Sequence, residues 1–459
     1  MKSSKAQIHS RSHKIPQVRF DARDLTSFAG VVVFLALFQA LRLKHRLQSC
    51  FRHLKTTAYG YHVIIMLLVV HKLLGFRRLR GVDFYRDDPL MKHLLGLRKI
   101  PDVATISRNL KDTDSKSFDR VLQLIKEIVY QRIVVEGLTT LTIDFDGTVV
   151  WTRGAGTEGT ATGFNKQKKG ARGYYPLMCT VAQTSQVLAM RHRPGNVHDS
   201  NGAAGFALQN ILEIRNRMPH VRIESRCDSA FFSEVFLGIL NEFGVEFTIS
   251  VPFERFPQLK QKIAQRKRWR RLCGRWSYFE DRDWQPKKWE DRYHYRFLFI
   301  RQKVAVQRKG PVQLDLFEPK SFDFEYKVIV TNKKTSAKNV LLFHNGRGSQ
   351  EGIIGELKSE VHFDYIACRK QVANQHFMAA AVLAHNLSKE LQMSAASPVR
   401  SQGFKRPAMW GFKKLHTLRR EILRRAGRVT RPGGELTIVM NDNRAVRREL
   451  KRYLEPLAA

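Results

Sequence analysis

The segment LTIDFDGTVV (residues 141–150) constrains the fold more than any other, because its apolar and acidic residues alternate. Side chains two apart on a strand share a face, so Asp144 and Asp146 project together while Ile143 and Phe145 face the other way. Two acids in an otherwise apolar strand are costly unless a cation or solvent meets them. Gly147-Thr148 then breaks the pattern and leaves the acids near the strand end. A second segment, VRIESRCDSAFFSEVFLGILNEFGVEFTISV (221–251), reads strand, helix, strand, with Asp228 at the first turn and Ser229 as a cap candidate. An acid at the carboxyl end of a strand, opening a helix, lies where α/β sheets place their chemistry. The alternative is a plain N-cap.

A third segment, HNGRGSQEGIIGELK (344–358), reads as one helix carrying Arg347, Glu351 and Lys358. Steps of four and seven residues return to one helical face, so a carboxylate sits between two cations on one stripe. Such a carboxylate can hold a metal while its neighbours grip phosphates. The alternative is a solvated helix with i,i+4 ion pairs.

Together the three segments resemble the Asp-Asp-Glu (DDE) transposases, whose catalytic core is RNase H-like. The third segment is similar to the signature Y-x-x-R-x-x-x-E-x-x-x-x-x-x-K of bacterial insertion-sequence enzymes, and more narrowly to the thirteen-eighty group. The resemblance runs from about Leu25 to about Leu391 and includes TIDFDGTV, GFNKQKKGARGYYPL, RPGNVHDSNGAAGF, SRCDSAFF and RGSQEGIIGELK. It implies that Asp146, Asp228 and Glu351 are the catalytic, metal-holding acids. Asp144 is discounted, because the family's acid lies just before the small-residue and Thr/Ser pair, here Gly147-Thr148. The chain departs from the signature at its Tyr, which falls on His344.

The implied chemistry suits these residue types. Hard divalent cations prefer carboxylate oxygen, and two of them roughly 3.5–4 Å apart clamp an in-line phosphoryl displacement. The resemblance therefore implies two Mg²⁺ ions, with Mn²⁺ as a substitute, and no covalent protein nucleophile. Arg347, by a fork, and Lys358, as a point charge, would contact transposon-end phosphates. The implied partners are double-stranded DNA, as terminal inverted repeats and target, and further copies of the chain in a dimer or larger complex. The runner-up is an RNase H-like nuclease or a non-transposing terminal-repeat binder.

Charge agrees with a DNA partner. There are 80 Lys+Arg against 41 Asp+Glu, a net of +39 with pI about 10.4, which fits counterion-release binding to a polyanion. Hydrophobic content of 43% supports real cores. Five cysteines form no C-x-x-C pair, so neither a zinc module nor a disulfide framework is indicated and a reduced cytoplasm is the natural compartment; the resemblance implies a bacterial one, near the nucleoid. The apolar runs Phe28–Leu41 and Tyr59–Phe76 are short or interrupted by His and Lys, so they read as buried helices rather than membrane spans.

The expected fold is an α/β RNase H-like core with a β-rich insertion, preceded by an all-α DNA-binding domain and followed by a basic C-terminal region. Residues 1–24 read as a basic arm or plain tail, and 25–137 as the helical domain, in which 96–111 is either a helix-turn-helix-like reader or a core helix hairpin. Residues 138–253 and 339–392 are the two parts of the core, 393–403 a linker and 404–459 the basic region, with a hairpin at RVTRPGGELTIVM. Residues 254–338 are the expected insertion, because Asp228 and Glu351 are 123 residues apart against 82 between Asp146 and Asp228. Its strands are expected at 295–304 and 324–332. It holds Trp269, Trp276, Trp284 and Trp289 among many cations, either as base-stacking platforms or as core staples. Trp289 is the expected receptor for an extruded base. Gln313, Leu314, Leu316 and Phe317 belong to a segment resembling the peptide that docks on the bacterial sliding clamp; the alternative is a short strand of the insertion.

Overall fold

A computed structural model describes residues 15–163, 165, 168–198, 200–289, 293–303, 324–400 and 403–458. The described residues open with a two-residue strand, β1 (Leu25–Thr26), and six α-helices: α1 (Val32–Ala40), α2 (Leu43–Cys50), α3 (Tyr61–Leu73), α4 (Pro89–Leu95), α5 (Val103–Lys111) and α6 (Ser115–Val135). The apolar runs of the sequence become α1 and α3, and α3 is buried along nearly its whole length. Among the described residues no helix is long and apolar enough to cross a membrane. Asp88, Asp102 and Asp114 each cap the following helix by accepting a backbone N–H, which fixes where α4, α5 and α6 begin.

The central part holds β2 (Thr140–Gly147), β3 (Val150–Thr152), β4 (Ala161–Thr162), β5 (Arg172–Tyr174), β6 (Leu177–Val181), β7 (Gln186–Arg191), α7 (Ala203–Arg217), β8 (Arg222–Cys227), α8 (Glu234–Glu242) and β9 (Glu246–Val251). After them come α9 (Pro257–Gln265), β10 (Arg270–Cys273), β11 (Trp276–Asp281), β12 (Arg296–Lys303) and β13 (Phe324–Thr331). Nine of these strands form one sheet in the order β10-β11-β12-β13-β9-β8-β2-β6-β7. Only β2/β8 and β8/β9 are parallel pairs. The strands expected at 295–304 and 324–332 form, but they do not stand apart as a separate β-domain. β13 pairs antiparallel with β9, Val328 opposite Val251, so β10–β13 prolong the main sheet. Alternation marks a strand without naming its partner, and the exposed edge of β9 supplied one.

Helices α10 (Ala337–Asn345), α11 (Gly348–Ser359) and α12 (Gln371–Ser394) complete this part. α12 is buried almost end to end between α3 and α6 on one side and β7 on the other. The C-terminal hairpin forms as β14 (Gly427–Thr430) and β15 (Thr437–Met440), followed by α13 (Arg444–Ala458). It is no loose tail. β1 pairs with β14, and one hydrophobic core runs from Phe28 through α3 and Phe377 to Leu418 and Tyr453. Arg419, buried, donates to the carbonyls of Lys72 (2.8 Å) and Leu73 (2.7 Å), satisfying acceptors at the end of α3.

Candidate active site

β2 and β8 run parallel in a constant register of 82 residues, from Thr140 opposite Arg222 to Asp144 opposite Arg226. That pairing ends at Asp144 and Arg226, and Asp146 and Asp228 follow two residues further along each segment, the latter just past the end of β8. Residues two apart share a face, and Asp144 meets Arg226 directly on one face, so alternation along β2 carries Asp146 to that face as well. Asp228 accepts the N–H of Ala230 at 3.0 Å and caps a short 3-10 turn, Ser229–Phe231. Ser229, the expected cap, lies inside that turn, and Ser233 caps α8 instead.

Asp144 is fully buried. Arg226 grips it with Nε to Oδ1 at 2.8 Å and Nη2 to Oδ2 at 2.5 Å. Burial pushes the Asp144 carboxyl up, and the guanidinium fork works against that shift. The pair ties three elements together. Arg226 Nη1 also donates to the carbonyl of Lys405 (2.8 Å), and Gln350 on α11 donates to the Asp144 carbonyl (2.8 Å). Gln350 thus docks α11 on β2 one residue before Glu351.

The expected single helix of 344–358 is two helices, α10 and α11, meeting at Gly346. A Cβ at Gly346 would lie 2.1 Å from both Arg226 Nη1 and the Lys405 carbonyl oxygen, so only glycine allows this close approach. His344, at the signature Tyr position, is buried and bonded to Ser250 Oγ (2.9 Å) and Thr248 Oγ1 (3.1 Å). Burial, with Lys327, Arg347 and Arg226 nearby, holds its imidazole neutral, well below the usual histidine range. His344 is therefore a strut between α10 and β9.

Arg347, at the start of α11, bridges the acids. Its Nη2 donates to Glu351 Oε1 at 3.0 Å, and its Nη1 lies 3.9 Å from Asp146 Oδ2. Lys358 is half-buried; burial lowers its ammonium pKa, while Asp364 and Asp146 pull the other way. Among the described residues no group of three or more His, Cys, Asp or Glu lies in metal-holding geometry. The donor chemistry nonetheless suits a hard cation, with carboxylates at the ends of two neighbouring parallel strands. A guanidinium already occupies the gap toward Glu351, which marks it as a place where positive charge is favoured.

The remaining expected residues divide. Trp289 is half-buried and packs tilted against Phe232, ring centroids 4.9 Å apart, four residues beyond Asp228. Trp269 and Trp284 staple the core instead, edge-on to Phe279 (4.9 Å) and Phe297 (5.0 Å). Gln313, Leu314, Leu316 and Phe317 lie outside the described residues. Sequence reasoning missed Arg226 and Gln350. A signal for the first existed, since D-F-D at 144–146 and R-C-D at 226–228 carry opposite charges at matched positions before the two acids.

A basic chain with strand-end acids and an Arg-Glu helix beside them defines a protein of the DDE transposase class. The family model for the transposase DDE domain, group 1, matches residues 9–459, and the chain belongs to that family. The match takes in the C-terminal region, which the sequence resemblance left out. No curated protein matches the chain. Among solved structures, a cryo-EM structure of a piggyBac transposase synaptic complex with hairpin DNA is similar over 86% of this chain and 80% of that one, at 13% identity and a TM-score of 0.36. A likeness that low supports no conclusion about this chain.

Proposed function

We propose that this DDE transposase binds the terminal inverted repeats of its own element, cleaves the ends and joins the freed 3′-hydroxyls to target DNA. Asp146, Asp228 and Glu351 are its catalytic acids, on the RNase H-like core of a bacterial insertion-sequence enzyme of the thirteen-eighty group. The observation that carries this reading is the 82-residue register between β2 and β8, which, continued two residues past Asp144 and Arg226, would bring Asp146 level with Asp228. The strand order β7-β6-β2-β8-β9, parallel only among the last three, supports the RNase H-like assignment.

Asp146 and Asp228 would hold Mg²⁺ or Mn²⁺, and Glu351 would join them once Arg347 turns from it to a phosphate. When bound, two such ions stabilise the attacking and departing oxygens of a phosphoryl transfer. The chain's own side chains do the positioning. Arg347 forks onto a phosphate of the transposon end, and Lys358 adds a point charge. Trp289 receives a base extruded near the cleaved end. The net charge of +39 supplies affinity by counterion release. Paired ends require at least two copies of the chain, acting on DNA in a bacterial cytoplasm.

The test is purified protein with DNA carrying the inverted repeats that flank its gene, in Mg²⁺. Cleavage followed by strand transfer is expected. Cleavage without joining would make the chain a nuclease on the same scaffold, and no cleavage would remove the catalytic reading.

A further inference from the structure

A second cationic site opens beside the acids. A cavity of about 470 Å³ lies where the small sheet β3-β5-β4 meets the segments after α3 and α11. Trp151 and Tyr365 supply aromatic faces, and Arg77, Arg78, Arg153 and Lys168 supply charge. Its one carboxylate, Asp364, is already paired with Arg77 at 3.3 Å. Cations sit over both rings. Lys168 Nζ is 3.6 Å from the Trp151 centroid, and Arg77 is 5.5 Å from that of Tyr365.

Trp151 is held on a paired strand, and cationic side chains lie over its ring. It lies on β3 opposite Gly173 of β5, which has no side chain to shield the ring. A Cβ at Gly173 would meet the Val150 carbonyl oxygen at 2.4 Å, so the strands approach closely there. The cleft neighbours the acids in sequence and in charge. Trp151 follows Asp146 by five residues, and Lys358 interacts electrostatically with both Asp146 and Asp364.

We propose that this cleft takes an unpaired nucleotide of the DNA strand beside the scissile phosphate, its base stacked on Trp151 and its phosphates on Arg77, Arg78 and Arg153. The proposal rests on the reading of Asp146 as a catalytic acid for its place in the reaction. Lys168 now covers the Trp151 face and would move to a phosphate as the base arrives. An aromatic platform ringed by cations suits single-stranded DNA, because every base has a π-face and every residue a phosphate. A stacked duplex offers its phosphates but no free base face.

The test uses the full chain and fluorescence anisotropy, with fluorescein-labelled oligothymidylate, a blunt duplex of similar length and free dTMP as probes. Trp151→Ala is expected to weaken oligothymidylate binding by about tenfold, Trp151→Phe to restore most of it, and duplex binding to change by less than about twofold. Should Trp151→Ala fail to fold, the surface double variant Arg153→Glu, Lys168→Glu reads the same site. It is expected to weaken oligothymidylate more than duplex. Equal losses on both probes, no loss on either, or wild-type binding of dTMP as tight as that of oligothymidylate would overturn the proposal. Mg²⁺-dependent cleavage of end DNA by the same preparation is scored separately. Its failure counts against the catalytic acids, whereas the cleft is judged by the affinity ratio alone.

Discussion

Asp144 and Arg226 form a fully buried two-pronged ion pair, one step behind the strand ends at which Asp146 and Asp228 emerge. The pair sets the register of the site. It also means that Asp144, the acid discounted for catalysis, is the one whose loss the fold tolerates least.

Asp144→Ala leaves the buried Arg226 without its counter-charge, which costs about 3–5 kcal/mol. The denaturation midpoint should fall sharply. Asp146→Asn, at a partly exposed position, should leave the midpoint nearly unchanged. Urea denaturation of the two variants side by side checks this; equal stability would deny the buried pair its role.

Arg347 holds Glu351 at 3.0 Å and stands 3.9 Å from Asp146. Removing it should free both carboxylates. Arg347→Ala is therefore expected to bind Mn²⁺ more tightly than wild type without DNA, read by the loss of the free-ion electron paramagnetic resonance signal. The same variant should lose about one unit of salt slope in DNA binding, as should Lys358→Ala. Unchanged Mn²⁺ affinity together with an unchanged slope would leave Arg347 a surface ion-pair partner only.

Stability should fall steeply in mild acid. His71 and His385 are buried neutral, with burial lowering both to about 3, and burial lowers His376 to about 4. The unfolded chain takes up these protons below about pH 6.5 and the native one does not, so each histidine costs about 2 kcal/mol by pH 5. Glu224 adds to this lower down. Burial would raise it, but hydrogen bonds and charge from Arg406 and Lys333 outweigh burial and hold it at about 2. Its contribution, about 3 kcal/mol, is present above pH 4.5 and lost as pH falls toward 2. Urea midpoints at a series of pH values check the sign; a flat profile between pH 7 and 5 would show that these histidines are not buried in solution.

Glu224 also pins the C-terminal segment. Arg406 grips it with Nε at 2.6 Å and Nη2 at 2.9 Å. Glu224→Gln should raise backbone hydrogen exchange around residues 403–413 while the center of the sheet stays protected. Unaltered exchange there would mean that the segment's other anchors, among them the buried Trp410 and the Arg226 bond to the Lys405 carbonyl, hold it without Glu224.

Period-two alternation made β2 and its acids legible, and apolar continuity did the same for α3 and α12. Asp228 was legible as a strand-end acid. Arg226 was not, because its partner lies 82 residues away and strand register is fixed only once the chain folds. The break at Gly346 was hidden for a related reason: the close approach that requires glycine involves Lys405, from another part of the chain. The C-terminal region read as a basic tail because Arg406 and Arg419 count as charges in a sequence. In the fold each is matched to a buried acid or to helix-end carbonyls.

The most direct test is end cleavage in Mg²⁺ by Asp146→Asn, Asp228→Asn and Glu351→Gln, with end binding measured on the same preparations. Each variant is expected to bind the inverted repeat within a few-fold of wild type and to cut it at least about a hundredfold more slowly, since cutting depends on the acids and affinity on the many basic contacts. Normal cleavage by any one of the three, with its fold intact, would contradict the triad.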